Sequence, residues 1–200
     1  MPGRTDSRCA ESALLFAPCS SSSAIRLVVS IASRSPISSS GDTPQGLERA
    51  RVFHALRSKL FGAAPEPVSV DRFEIKRRLG EGATGIVYAA FDPQLQREVA
   101  LKLFNAVSEQ KREAFLHEAR ALARFAHPNV LQIYEVGMFQ GAPYLISELV
   151  DGGTLRQWIL AEPRTTQAIV DLLCEAASGL VVAHQRGITH RDIKPENLLV

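Results

Sequence analysis

Six residues, Gly80-Glu81-Gly82-Ala83-Thr84-Gly85, constrain this chain more than any others. Glycines at this spacing let the backbone turn tightly and bring its N–H groups close to an anion. The residues that follow decide what kind of fold holds the turn. In a dinucleotide-binding α/β unit a helix opens directly after the third glycine. Here Ile86-Val87-Tyr88 follows, β-branched and aromatic, and Asp92-Pro93 then makes a turn. That is strand chemistry. The expectation is a hairpin, with Phe73–Leu79 entering the turn and Ile86–Phe91 leaving it. A lid over phosphates and a tight turn without a ligand both fit the six residues alone.

The flanking pattern extends the hairpin into a lobe. Glu98–Phe104 reads as a third strand and Ser108–Ala126 as a helix that stops before His127-Pro128. Val130–Met138 and Pro143–Val150 read as two more strands around a turn at Gly141. After Gly152-Gly153 the pattern becomes helical. Thr154–Ala161 is short, with Thr154 as its cap. Thr165–Gln185 repeats apolar residues at Ile169, Leu172, Leu173, Ala176, Ala177, Leu180 and Val181, and Gly187 ends it. The fold class is α+β: a small, mostly antiparallel sheet lobe with one helix, followed by the start of a mainly helical lobe.

Charge and composition divide the chain near Val70. Residues 1–70 carry 8 Lys/Arg and 5 Asp/Glu, and residues 71–200 carry 15 and 16. With a net charge of +2 there is no basic field to draw nucleic acid, and no nucleic-acid partner is expected. The first forty residues hold 12 serines, which bury too little apolar area to offset chain entropy, so residues 1–44 are expected to be a disordered leader. Its nearest approach to an apolar run, Ala24–Ala32, is broken by Arg26 and Ser30, and no uninterrupted run long enough for a membrane span occurs. Residues 45–70 are expected to form a short basic helix, Leu47–Phe61, and a linker. Residues 71–150 would form the sheet lobe and 151–200 part of the helical one. The three cysteines, Cys9, Cys19 and Cys174, lack metal-ligand spacing, and a reducing, cytoplasmic setting is the default.

Two further groups of residues carry chemistry. In Val99-Ala100-Leu101-Lys102, strand alternation turns Lys102 to the side opposite Val99 and Leu101. A lysine facing inward needs an anion. Glu118 lies on the following helix with Phe115 and Leu122, on its apolar stripe and not on the outer face, and is the natural partner; a purely structural salt bridge is the alternative. The octad His190-Arg191-Asp192-Ile193-Lys194-Pro195-Glu196-Asn197 is the more specific signal. Asp192 can accept a proton from an attacking hydroxyl. Asn197 can offer an amide oxygen to a divalent metal, Lys194 can neutralise a phosphoryl group in transfer, and Pro195 stiffens the loop.

Together these residues resemble the signature set of the protein kinases, more narrowly the bacterial, eukaryotic-like serine/threonine kinases. The resemblance covers about Phe73 to Val200. It implies ATP and Mg2+ as cofactors, and a protein carrying Ser or Thr hydroxyls as partner. Gly80, Gly82 and Gly85 would then cover the ATP phosphates. Lys102 would hold the α- and β-phosphates, braced by Glu118. Asp192 would be the catalytic base, with Lys194 beside it, and Asn197 the metal ligand. Leu79, Val87, Ala100 and Leu199 would enclose adenine, Glu148 and Val150 would form the hinge, and Ser147 would be a small gate to the pocket behind. The family's Asp-Phe-Gly segment is absent, so the chain is expected to be a fragment, inactive alone. A non-catalytic nucleotide-binding or protein-interaction module is the alternative, and an enzyme phosphorylating small molecules a more distant one.

Overall fold

Alternation along Arg97–Phe104 places Val99, Leu101 and Leu103 on one face, all fully buried, with Ala100 and Lys102 on the other. That strand is the centre of the molecule's principal sheet. A computed structural model of the chain describes residues 25–28, 43–61, 67–106 and 108–200. Within these, a two-residue strand β1 (Arg26–Leu27) precedes helix α1 (Thr43–Phe61) and strands β2 (Ser69–Val70), β3 (Phe73–Gly82), β4 (Gly85–Asp92) and β5 (Arg97–Phe104). Helix α2 (Glu109–Ala123), strands β6 (Ile133–Phe139) and β7 (Ala142–Glu148), helices α3 (Leu155–Ala161) and α4 (Thr166–Gln185), a 3-10 turn at Pro195–Asn197 and strand β8 (Leu198–Leu199) complete the order. The expectation of a disordered leader falls mostly outside the described residues. Within them it needs two corrections: residues 25–28 are ordered and two of them form β1, and Thr43 and Pro44 already belong to α1, which opens before the expected Leu47.

The sheet runs β2-β3-β4-β5-β7-β6 with every neighbouring pair antiparallel. One face packs Val70, Phe73, Tyr88, Val99, Leu101 and Ile146 together, and α1 lays Leu47 against them. Burying a side chain of this size contributes about 1.5–3 kcal/mol relative to leaving it exposed. The Tyr88 hydroxyl donates to Glu48 of α1 at 3.4 Å, and burial pushes its pKa up to about 12. On the opposite face, α2 covers the sheet through Phe115, Ala119 and Leu122, which meet Phe104, Ile133 and Leu145. At one end of the sheet Arg72 reaches Asp92 at 3.4 Å and pairs closely with Glu135, so the turn before β3 is joined to β4 and β6.

The second lobe has its own core, in which Leu155, Leu172, Ala176 and Ala183 pack with Phe125, Val130 and Leu198. α4 turns Leu172, Ala176, Gly179 and Ala183 inward, while Leu173 and Val181 stay about half exposed at 45% and 54%. The seven-residue apolar stripe is therefore corrected by part of a turn. The cause is Gly179, where an added Cβ would lie 3.0 Å from the Asn129 carbonyl oxygen, so the helix approaches that turn through its glycine. α4 is long and apolar enough to cross a membrane by length and composition, yet it contributes a face to this core. Its end is set by Gly187 at φ 75°, whose N–H bonds the His184 carbonyl.

Candidate functional site

The hairpin of β3 and β4 pairs Gly80 with Val87 and closes at Gly82 and Gly85. The three glycines are there for different reasons. A Cβ on Gly85, whose φ is 152°, would lie 2.1 Å from the Leu103 carbonyl oxygen, so the protein itself demands glycine. Around Gly80 and Gly82 nothing lies within 4 Å of such an atom. Their lack of a side chain leaves an open space that no packing in the chain requires. Gly85→Ala is accordingly expected to destabilise the fold by roughly 1–3 kcal/mol. Gly80→Ala is expected to leave the melting temperature near that of the parent. Thermal melts of the two variants check this, and equal melting temperatures would contradict it.

Lys102 lies opposite Val87 on β4 and Leu145 on β7, partly buried, with its amine 4.8 Å from the centre of the Phe104 ring. Burial lowers its pKa, the nearby Asp192 carboxylate pushes it back up, and Lys194 pushes it down. Lys102 and Asp192 are therefore near enough to act on one another electrostatically. The Glu118 pairing is not formed. Glu118 is exposed, and among the described residues Lys102 has no ion-pair partner. The reason is helix rotation. At about 100° per residue, Glu118 lies about 60° round α2 from Phe115. Ala119 and Leu122 occupy the inward side with Phe115. The result is a partly buried ammonium without an ion-pair partner among the described residues.

The octad forms a compact loop. His190 is buried, at 2% exposure. Its Nδ1 accepts the Asp192 backbone N–H at 3.2 Å, which requires the proton on Nε2, and Nε2 lies 2.6 Å from the Val28 carbonyl oxygen. Arg191 adopts φ 63°, a costly conformation for a side-chain-bearing residue and one that turns the loop between these contacts. The Asp192 carboxylate accepts from Lys194 Nζ at 2.9 Å and Asn197 Nδ2 at 2.9 Å. Asn197 also donates to the Asp192 carbonyl oxygen at 2.8 Å. The Lys194 hydrogen bond holds the Asp192 pKa below its ordinary 3.8, against a smaller effect of desolvation, and the same contact raises that of Lys194. A carboxylate with a depressed folded pKa contributes stability above its unfolded pKa and loses it as pH falls through the folded one. This network is therefore expected to survive to a pH below 3.8. A carboxyl-carbon NMR titration that places Asp192 above that value would contradict the geometry.

The remaining residues fall around the same cleft or at its rear. Ala100 is paired with Ser147 on β7, and Ser147 is buried, its Oγ donating to the Glu148 carbonyl at 3.2 Å. The Glu148 carboxylate faces the turn before β6, accepting Gln132 N–H at 2.9 Å and pairing with Arg26 at 3.4 Å. Val150 and Leu199 are partly buried, and Leu79 is 40% exposed at the mouth of the hairpin. Leu199 runs beside Thr154, and Val200 exchanges two main-chain bonds with Gly153 at 2.9 and 3.2 Å, which fixes β8 beneath the linker between lobes. Sequence reasoning missed Arg26 and His190 as parts of this surround. His190 was legible only as a member of the octad, and Arg26 only as a lone charge in an apolar run.

A curled antiparallel lobe carrying a glycine hairpin and an inward lysine, set over an Asp/Asn loop on a helical lobe, defines a protein-kinase-like α+β fold. The family model described as "Protein kinase domain" matches residues 73–200, and the chain belongs to that family. Among curated proteins, it is 38% identical over 133 residues to serine/threonine-protein kinase PknL of Mycobacterium tuberculosis, covering 64% of this chain and 33% of that one. It is 38% identical over 131 residues to serine/threonine-protein kinase PknJ of the same organism, covering 64% and 22%. Among solved structures, the M. tuberculosis PknI kinase domain superposes with a TM-score of 0.60 at 30% identity, covering 68% of this chain and 56% of that one. The chain thus spans about a third or less of the length of these curated relatives.

Proposed function

We propose that this chain carries the nucleotide cleft and catalytic loop of a serine/threonine protein kinase, transferring the γ-phosphoryl group of ATP to a protein hydroxyl. One observation supports the reading: Lys102, partly buried without an ion-pair partner among the described residues, feels the Asp192 carboxylate and lies on the strand paired with β4, which leaves the open glycine turn. Triphosphate oxygens would supply the anion that Lys102 lacks and would fill the space above Gly80 and Gly82. Bound ATP would provide the electrophilic γ-phosphorus, and ADP would leave as the phosphoryl group passes to the hydroxyl. Asp192 would hold the attacking hydroxyl and take its proton, and Lys194, freed from Asp192, would face the charge that develops. Ala100, Val87 and Leu199 would flank the base, with Ser147 leaving room behind it.

The donors for Mg2+ are incomplete. Among the described residues no group of three His, Cys, Asp or Glu side chains gathers, and Asn197 offers one amide oxygen.

The outward Glu118 favours a second reading, a module that binds nucleotide without transferring phosphate, because phosphoryl transfer in this family needs the Lys–Glu pair in place. Incubation with γ-labelled ATP, Mg2+ and a general Ser/Thr protein substrate, together with ATP-dependent melting, separates the two. Transfer supports the kinase reading. A rise in melting temperature with no transfer supports the module, and neither effect would overturn both.

A further inference from the structure

We infer that the groove between the 129–131 turn and β8 is a strand-docking site whose occupant is the chain's own leader, residues 25–28, and that this strand positions the His190–Asn197 loop.

β1 pairs antiparallel with β8, Arg26 opposite Leu199 and Leu27 opposite Leu198. It is bonded on both edges. Val28 N–H donates to the Asn197 carbonyl at 2.9 Å on one side. On the other, Leu27 N–H donates to Asn129 O and Leu131 N–H donates to Leu27 O, both at 2.9 Å, with a parallel bridge to Val130. A segment adhering to a surface does not fill two edges at once. The alternating side chains match two different surroundings. Ile25 and Leu27 are fully buried in the lower core, whereas Arg26 points the other way and pairs with Glu148 behind the hinge. A slip of one residue would drive Arg26 into that core, so the register is specified.

The contacts converge on the loop that carries Asp192. The Val28 carbonyl is the acceptor for His190 Nε2–H, and His190 Nδ1 in turn holds the Asp192 N–H. Without the strand a buried donor and the Asn197 carbonyl lose their partners, and the loop loses the histidine's fixed orientation. Ile25-Arg26-Leu27-Val28 also stands out in its own neighbourhood, following the serine run Ser20–Ser23.

The test uses the full chain with Cys9, Cys19 and Cys174 changed to serine. Because Val28 and Asn197 are hydrogen-bonded, Leu27 and Leu198 form the close, non-hydrogen-bonded pair whose Cα separation suits a disulfide. Leu27→Cys/Leu198→Cys is expected to close within the chain on mild oxidation, and Arg26→Cys/Leu198→Cys is not. Equal closure of both pairs, closure of neither, or bridging between two chains would overturn the inference. A second measurement needs no introduced cysteines. In the unaltered chain, hydrogen exchange at Leu27, Val28 and Leu131 is expected to be slowed at least a hundredfold over the free peptide. In Leu27→Asp, the Asp192 amide is expected to lose protection while Leu101 and Leu103 keep theirs, and Leu27→Ile is expected to restore it. Exchange at Leu27 as fast as in a free peptide, or an Asp192 amide indifferent to Leu27→Asp, would overturn the inference. Neither measurement needs catalytic turnover.

Discussion

Asp192→Asn is expected to lower phosphoryl transfer by about 10²–10⁴-fold, the contribution typical of a positioned general base, while ATP affinity stays near that of the parent. Asparagine matches aspartate in shape and can still accept from Asn197 and Lys194 through one oxygen, so the loop keeps its outline. What it lacks is the anionic oxygen that takes the hydroxyl proton. The measurement is transfer of labelled phosphate beside equilibrium binding of ATP to the same preparation. Transfer at the parent rate would remove Asp192 from the chemistry, and loss of ATP binding would assign it to the nucleotide site instead.

Lys102→Met is expected to abolish the stabilisation that ATP confers, about 2.7 kcal/mol at a ligand concentration of 100 Kd, without lowering the melting temperature of the free protein. Methionine has a similar length and no charge to desolvate. In the free protein Lys102 has no counter-ion among the described residues, so its replacement removes a burden. The same logic fixes a pH trend. Burial depresses the Lys102 pKa below 10.5, so the unfolded chain binds the proton more tightly than the folded one. Between the folded pKa and 10.5 the contribution of this group to stability therefore rises with pH, and Lys102→Met should remove that rise. A variant that melts well below the parent without ATP, or one still stabilised by ATP, would show that Lys102 serves the fold and not the nucleotide.

The strands were legible because their signals are local: β-branched runs alternate and break at glycine, proline and asparagine. β5 even shows which way each side chain points. Asp192, Lys194 and Asn197 were legible as a group for the same reason, since six consecutive residues contain all three. Rotation about a helix axis was not. Glu118 is near enough to the Phe115–Leu122 stripe that apolar periodicity alone cannot say whether it faces the cleft, and packing of Ala119 turned it out. On α4 the overlooked signal was Gly179, because a small residue between apolar ones marks where a helix is approached closely. β1 was hidden by distance. A two-residue strand carries no period of its own, and its partners lie about a hundred residues along the chain on one edge and more than a hundred and fifty on the other.

Arg72 has a consequence for how copies of this molecule meet. A six-stranded open sheet ends in two borders whose unpaired amides and carbonyls invite another chain to add itself. β2 and β6 are those borders here, and the guanidinium beside β2 grips Glu135 on β6 while also holding Asp92. At that end the ribbon is buckled like a belt. A neighbour adding itself edge to edge would meet a curved, charged rim there in place of a flat template.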